Sequence, residues 1–214
     1  MKSNIAAIRQ EYLMASLRKS DLADNPINQF EHWFQEAVNA SVEDANAMTL
    51  STVDENNTPR SRIVLLKGIE ANQFIFFTNY HSHKGLQITQ NNHVALNFLW
   101  KELQRQVRIE GQAIPISEQE SVEYFATRPR ESQLGAWASH QSEDLENREM
   151  LETRYEQLQQ TYQNKPIPKP THWGGYAVAP NYIEFWQGRA NRLHDRICYK
   201  RHSNNEWMKQ RLNP

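Results

Sequence analysis

The sequence predicts an α+β protein, a mostly antiparallel β-barrel with helices around it. Three observations lead there. Segments rich in branched and aromatic residues dominate from Ala47 onward, clusters of turn-forming residues separate several of them, and helical spacing returns too irregularly for a strand-helix-strand alternation. With 214 residues, 38% of them hydrophobic, and a mean hydropathy of -0.83, the chain is polar for its size. One domain over residues 26–214, preceded by an arm over residues 1–25, suits that length, and self-association would compensate for the small supply of apolar side chains.

The elements follow in order. Ile5, Ile8, Tyr12 and Leu13 can share a helical face, which makes the arm a weak helix. Asn25 and Pro26 are a cap and a start, and Phe30, Trp33, Phe34 and Val38 recur at helical spacing behind them, so a helix is expected from Pro26 to Val42 with that stripe in the core. Strands are expected at Ala47 to Val53, Arg62 to Lys67, Gln73 to Thr78, Val94 to Trp100 and Gln104 to Ala113, the first break being Asp54 to Pro59. A short helix is expected at His83 to Asn91. Ser117 and Glu120 form a capping-box pair opening another, which carries Val122 and Phe125. Leu151, Tyr155, Leu158 and Tyr162 fall on one face of a charged helix that ends before Pro166, Pro168 and Pro170, an extended connector. Further strands are expected at Gly175 to Val178, Tyr182 to Trp186, Arg196 to Lys200 and Trp207 to Arg211, the last two forming a hairpin across Ser203, Asn204 and Asn205.

Composition excludes several function classes. Twenty-four basic and 25 acidic residues give a net charge of -1, so no global field attracts nucleic acid or an anionic membrane. The lone Cys198 rules out an intrachain disulfide and a zinc site built on several thiolates, and it suits a reducing cytoplasm. Lys2, Arg9, Glu11 and Arg18 interrupt any apolar run at the amino terminus, against a signal peptide of the usual kind, and runs such as Ile63 to Leu66 fall far short of the ~20 residues a membrane helix needs. The seven glycines form neither a dinucleotide fingerprint nor a Walker loop. No histidine pair has zinc-protease spacing, and no serine has the flanking glycines of a nucleophile elbow.

Cations among the strands are what remain. The odd separation of Arg62 and Lys67 points them to opposite faces of a regular strand, so they serve different groups or are ordinary strand-end charges. Lys84, near a helix start, is a solvated lysine or a phosphate holder. Arg192, His194, Asp195 and Arg196 crowd within five residues, a set costly to bury unless paired or ligated; the plain alternative is an Asp195 salt bridge on a hairpin.

Three stretches together resemble the pyridoxamine 5'-phosphate oxidase family, and the likeness runs from about Arg9 to Pro214. They are Arg62-Ile63-Val64-Leu65-Leu66-Lys67; Arg128-Pro129-Arg130-Glu131-Ser132-Gln133 with Gly135, Ala136 and Trp137; and Ile183-Glu184-Phe185-Trp186-Gln187-Gly188 followed by Arg192 to Arg196. The resemblance implies a split β-barrel homodimer with FMN at the subunit interface. It assigns FMN contacts to Arg62, Ile63, Val64, Leu65, Leu66, Lys67, Phe77, Thr78, Lys84, Gln106, Gln141, Ser142, Trp186 and Arg196. Among these, Arg62, Lys84, Thr78 and Ser142 suit the phosphate, Gln106 the ring edge, and Arg196 the charge that builds on a reduced ring. Lys67, Tyr124, Arg128 and Ser132 would hold a substrate 5'-phosphate, while Arg192 and His194 would be the catalytic pair at the pyridine end. Arg9, Gln10, Glu11 and Tyr12 match a segment that closes over the substrate. The implied reaction oxidises pyridoxamine or pyridoxine 5'-phosphate to pyridoxal 5'-phosphate, with dioxygen giving hydrogen peroxide. A flavin reductase or another FMN oxidoreductase on the same barrel, or a noncatalytic binder of FMN or pyridoxal phosphate, are the alternatives. Two positions depart from the pattern: His83 stands where an arginine commonly precedes the lysine, touching the FMN phosphate, and Ala45 replaces a proline after Asp44. Pro129 disfavours helix at Arg128, so Tyr124, Arg128 and Ser132, although spaced by four, do not share one continuous helix.

Overall fold

The first helix starts where its cap and proline place it. In a computed structural model of the chain, which describes residues 11, 12 and 14–214, α1 spans Pro26–Asn39, and the Asn25 side chain accepts the Ile27 amide at 2.8 Å. It ends at Asn39 rather than at Val42, and the expected stripe is rotated. Phe30 and Trp33 are buried with Ile27 and Ala37, but Val38 is 47% exposed. Positions 30, 33 and 37 make the inner face, and Val38 lies about 100° around from Ala37.

Nine strands follow among the described residues: β1 Ala47–Val53, β2 Pro59–Leu65, β3 Gly68–Glu70, β4 Gln73–Asn79, β5 His93–Trp100, β6 Arg105–Pro115, β7 Trp173–Gln187, β8 Asp195–Arg201 and β9 Trp207–Leu212. They pair in the order β2-β1-β5-β6-β7-β4-β3, with β8 on β7 and β9 on β8. β3 and β4, β4 and β7, β7 and β8, and β8 and β9 pair antiparallel. The other helices are α2 His83–Gln90, α3 Glu118–Thr127, α4 Arg130–Ala138 and α5 Arg148–Thr161. The class is α+β with a mostly antiparallel sheet, as the residue texture predicts. The α3 capping box forms, with Glu120 N–H donating to Ser117 Oγ at 3.1 Å and Ser117 N–H to Glu120 Oε2 at 2.8 Å. At the Ala45 departure the turn holds, since Ala47 N–H still reaches Asp44 O at 2.7 Å.

Three elements differ from expectation. The two strands expected at 175–178 and 182–186 are one, β7, because Pro180 falls between the stretch paired with β4 and that paired with β8, where neither ladder needs its missing N–H. β2 begins at Pro59 and ends at Leu65, so Lys67 lies beyond the strand. Finally, α4 has no counterpart in the sequence reading; Pro129, in extended backbone, stands as its N-cap, and only Leu134 and Ala138 are buried on it.

Cα packing divides the chain into two compact units. The first comprises the described residues up to Thr49, Ala95–Glu110 and Pro180–Pro214. Its core is aromatic: Phe30 meets Phe98 with ring centroids 5.0 Å apart, Trp33 meets Phe185 at 5.2 Å, and Phe185 meets Tyr199 at 5.7 Å. The second comprises Leu50–Val94 and Gly111–Ala179. There Phe125, Leu134, Ile167 and Trp173 form a cluster against which Tyr155, Leu158 and Tyr162 of the α5 end pack. Among the described residues no helix is long and apolar enough to cross a membrane, and no group of His, Cys, Asp and Glu could hold a metal ion.

Candidate functional site

The second unit contains a cavity of about 480 Å³. Ile63, Val64 and Leu65 from β2 line it with Lys67 between β2 and β3, Phe77 and Thr78 from β4, Lys84 from α2, Arg128 between α3 and α4, Ser132 from α4, and Gln141 beyond α4. Lys84 reaches it because α2 is pressed onto the chain before it. Ser82 caps the helix, and a Cβ at Gly85 would collide with the Tyr80 carbonyl, so only glycine allows this approach. The Lys84 ammonium, in a residue only 9% exposed, donates to Gln141 Oε1 at 2.9 Å, Thr78 Oγ1 at 3.1 Å and Ser82 Oγ at 3.2 Å. All three acceptors are neutral, and no carboxylate pairs with it among the described residues. Burial first, and the Arg62 charge second, bring its pKa down to about 8.

Arg128 sits at the break that Pro129 imposes, in extended backbone between α3 and α4. Its guanidinium lies 4.6 Å from the Trp173 ring centroid and 5.5 Å from that of Phe125. Burial lowers its pKa, and its Nη1 is buried with no hydrogen-bond partner. Beside it Phe77, Tyr124 and Trp173 stack nearly parallel, Tyr124 on Phe77 at 3.8 Å and Trp173 on Phe77 at 5.3 Å. Burial raises the Tyr124 phenol, the charge of Arg128 opposing it. Leu66 is buried, and Ser142 is exposed with a left-handed φ of 77°.

Arg62 does not line this cavity. It shares another, of about 400 Å³, with exposed His83 and with Asp54, Arg60 and Gln87. Arg62 and Lys67 thus face different spaces. Three contributors were missed by sequence reasoning: Thr52 and Gln87, which bond to Arg62, and Trp173, which lies against Arg128. Gly135 and Ala136, quoted for the resemblance without a role, line the larger cavity. No sequence pattern flags Thr52 or Gln87, because their partner is remote in the chain.

The first unit gathers a different set. Trp186 and His194 have ring centroids 4.7 Å apart, and Tyr12 meets both edge-on at 5.7 Å. A Cβ at Gly188 would stand 2.7 Å from the Tyr12 ring, so glycine there makes room for it. His194 Nδ1 accepts the Arg189 amide at 3.1 Å, which leaves the proton of the neutral ring on Nε2. Burial, then the Arg192 charge, lowers the His194 pKa and favours that neutral form. Arg192 is exposed, with φ at 61°. Asp195 is a structural anchor: it accepts Leu17 N–H at 3.0 Å and pairs with Arg189 at 3.0 Å and Arg211 at 2.6 Å. Arg196 pairs bidentately with buried Glu184, at 2.7 and 3.1 Å. Gln106 is half-buried on β6 and Glu11 is exposed, while Arg9 and Gln10 lie outside the described residues.

Residues 34–162 match the sequence model of the family described as pyridoxamine 5'-phosphate oxidase, and residues 173–214 that of the pyridoxine 5'-phosphate oxidase C-terminal dimerisation region. The chain belongs to the pyridoxamine 5'-phosphate oxidase family. This family member is 51% identical over 213 residues to a pyridoxine/pyridoxamine 5'-phosphate oxidase of Acaryochloris marina, covering 100% of this chain and 97% of the other. It is also 51% identical to pyridoxine/pyridoxamine 5'-phosphate oxidase 2 of Hydrogenovibrio crunogenus, with all of both chains covered. Among solved structures, PhzG from Burkholderia lata 383, in complex with tetrahydrophenazine-1-carboxylic acid, superposes with a TM-score of 0.89 at 29% identity, over 94% of this chain and 99% of that one. A pyridoxamine 5'-phosphate oxidase-related FMN-binding protein from Nostoc punctiforme PCC 73102 shares the fold, with a TM-score of 0.73 at 19% identity over 90% and 100% of the two chains. The protein is an oxidase of this split-barrel family, and its last strands form the family's dimerisation region.

Proposed function

We propose that the protein oxidises pyridoxamine or pyridoxine 5'-phosphate to pyridoxal 5'-phosphate, with FMN as its cofactor and dioxygen as the acceptor reduced to hydrogen peroxide; on the pyridoxamine route water supplies the aldehyde oxygen and the amine leaves as ammonia. The observation that carries this reading is the buried, partnerless Nη1 of Arg128, in the same cavity as Lys67 and Ser132. A buried charged donor left unmade is costly, on the order of 1–3 kcal/mol or more, and a phosphate oxygen would satisfy it. Lys67 adds a second cation and Ser132 a hydroxyl donor, with Tyr124 held beside them by its stack on Phe77.

The residues also fit a second phosphate, that of FMN. Lys84 is a buried ammonium among neutral acceptors only, a charge with room for an anion, and Thr78 and Gln141 fix its direction. Bound FMN would supply two-electron oxidation of the substrate's C4' carbon. The protein's own work is positioning. Lys67, Arg128 and Ser132 fix the substrate phosphate, and His194, with its proton on Nε2, joins Arg192 in orienting the pyridine end. Tyr12, edge-on to Trp186 and His194, stands at that end. A second copy of the chain, joined through the dimerisation region, completes each FMN site.

The test is spectral. Protein reconstituted with FMN, mixed anaerobically with pyridoxamine 5'-phosphate or pyridoxine 5'-phosphate, loses the visible flavin band and regains it in air with release of peroxide. Unphosphorylated pyridoxine is a poor reductant. A band that neither phosphorylated compound bleaches overturns the proposal.

A further inference from the structure

Uncharged groups alone hold the Arg62 side chain. Its Nη1 donates to the Thr52 hydroxyl at 2.6 Å and to the carbonyls of Leu50 and Arg60, both at 3.2 Å, while Nη2 donates to Gln87 Oε1 at 3.2 Å. A guanidinium has no acceptor, so the Thr52 oxygen receives from Arg62 and sends its own proton on, to Gln87 Oε1 at 2.6 Å. Gln87 Oε1 therefore accepts twice. The Arg62 bond fixes the amide's orientation, because its NH₂ turned the other way would face the guanidinium, which can only donate. Three elements meet in this clamp: Thr52 comes from β1, Arg62 from β2 and Gln87 from α2.

The two Nη1 hydrogens share three acceptors and one Nη2 hydrogen goes to Gln87, which leaves two of the five guanidinium hydrogens free. The Nε–H and one Nη2–H, which together make the side-on fork of an arginine, engage no described residue. Nor is the charge neutralised. Asp54, the carboxylate that lines the same cavity, is taken by Arg60 at 3.1 Å and by the amides of Asn56 and Thr58 at 3.0 and 2.9 Å. Thr52 is 1% exposed, and its hydroxyl is wholly spent on this relay. A valine would fill its place in the strand equally well, so packing alone does not account for a threonine.

We infer that Thr52 and Gln87 are positioning residues, a neutral clamp that locks Arg62 with its side-on fork open to a phosphate monoester and its whole charge left to that ligand. The inference rests on the reading that this unit holds the FMN phosphate. A glutamate at 87 would keep the shape and the acceptor but bring its own anion, and the clamp would then compete with the ligand. An acidic residue is thus excluded here for an electrostatic reason.

The test measures dissociation constants of FMN and riboflavin, by quenching of flavin fluorescence, on the full chain freed of flavin. The two ligands share ring and ribityl chain, so their ratio isolates the phosphate. Wild type prefers FMN. Thr52→Val lowers that preference about tenfold, the scale of one charge-assisted hydrogen bond, and leaves riboflavin within about twofold. Thr52→Ser, which restores the hydroxyl, recovers the preference to within about threefold, and Gln87→Glu lowers it more than Gln87→Met does. If wild type binds both ligands equally, the phosphate reading itself fails. If wild type prefers FMN and both Thr52→Val and Gln87→Glu keep the full preference, or weaken both ligands alike, the clamp is overturned while the phosphate reading stands. Should Thr52→Val not fold, the Gln87 variants on half-exposed α2 decide alone.

Discussion

The cations lining the cavity of the second unit and those along β7 and β8 of the first are treated in opposite ways. Along β7 and β8, Arg196 is paired with Glu184, and Arg189 and Arg211 both pair with Asp195. Around the cavity, Lys84 and Arg128 have no carboxylate partner among the described residues, and neither has Arg62 nearby. The first arrangement holds strands together; the second leaves the cations without a carboxylate, as the proposed anion sites require. Arg192, exposed and unpaired among the described residues, follows the cavity's pattern although it sits in the first unit.

The largest effect that can break this comparison comes from removing one cation of each kind. Arg128→Ala raises KM for pyridoxamine 5'-phosphate by ~30–100-fold with kcat within about threefold, since a bound dianion loses one charged partner. It leaves the melting temperature unchanged or higher. Arg196→Ala instead leaves buried Glu184 to Arg108 at 3.3 Å and the Tyr182 hydroxyl at 2.7 Å, and destabilises the fold by about 1–2 kcal/mol, because Arg196 is partly exposed and a second cation remains. Equal loss of stability in both variants, read by thermal unfolding, would erase the distinction.

A smaller effect sharpens the placement of Arg192. Arg192→Ala and His194→Ala each lower kcat/KM at least ~10-fold while FMN stays bound, as expected of groups that act on the substrate side. Wild-type turnover in both variants removes them from the site.

Smaller still is the pH response of Lys84. In the free protein its pKa is brought down to about 8 by burial and by Arg62; Thr78, Ser82 and Gln141, the other groups against it, do not titrate. An anion prefers the protonated form. Affinity for FMN is therefore full near pH 7 and falls, by up to about tenfold, as pH rises through 8 towards 9. Riboflavin shows no such fall, and Lys84→Met abolishes it; a flat FMN titration in the wild type would refute the assignment. The smallest expected change is at His83. Arginine there adds a permanent charge beside Arg62, and His83→Arg tightens FMN about fivefold, close to 1 kcal/mol for a partly exposed charge-assisted bond. Unchanged affinity would put residue 83 in solvent.

What could be read in the sequence was what local chemistry decides. Asn25 before Pro26, the Ser117 and Glu120 box and the branched strand segments each carry their own instruction, and Pro129 breaks the helix where it stands. The path of β7 through Pro180 was not legible, because whether a proline interrupts a strand depends on which neighbours need its N–H. Nor was α4, with two buried residues and Gly135 inside it. Lys67 and Arg62 do face different spaces, but not through the strand alternation that their odd spacing suggested, since Lys67 lies beyond β2; the assignment of both to phosphates came from family resemblance. The clamp of Thr52 and Gln87 and the pairing of Arg196 with Glu184 are products of the folded register, which no single segment encodes.

The stack of Phe77, Tyr124 and Trp173 has an optical consequence. Its rings lie within 11° of parallel, and the Arg128 guanidinium rests on the indole at 4.6 Å. An indole excited state shifts charge across the ring, so its emission energy responds to the cation at its face and to whatever anion that cation holds. Of the six tryptophans, Trp173 is the one in contact with Arg128. With the others replaced by phenylalanine, its emission maximum would report occupancy of the cavity by inorganic phosphate in the dark form of the protein, without flavin and without turnover.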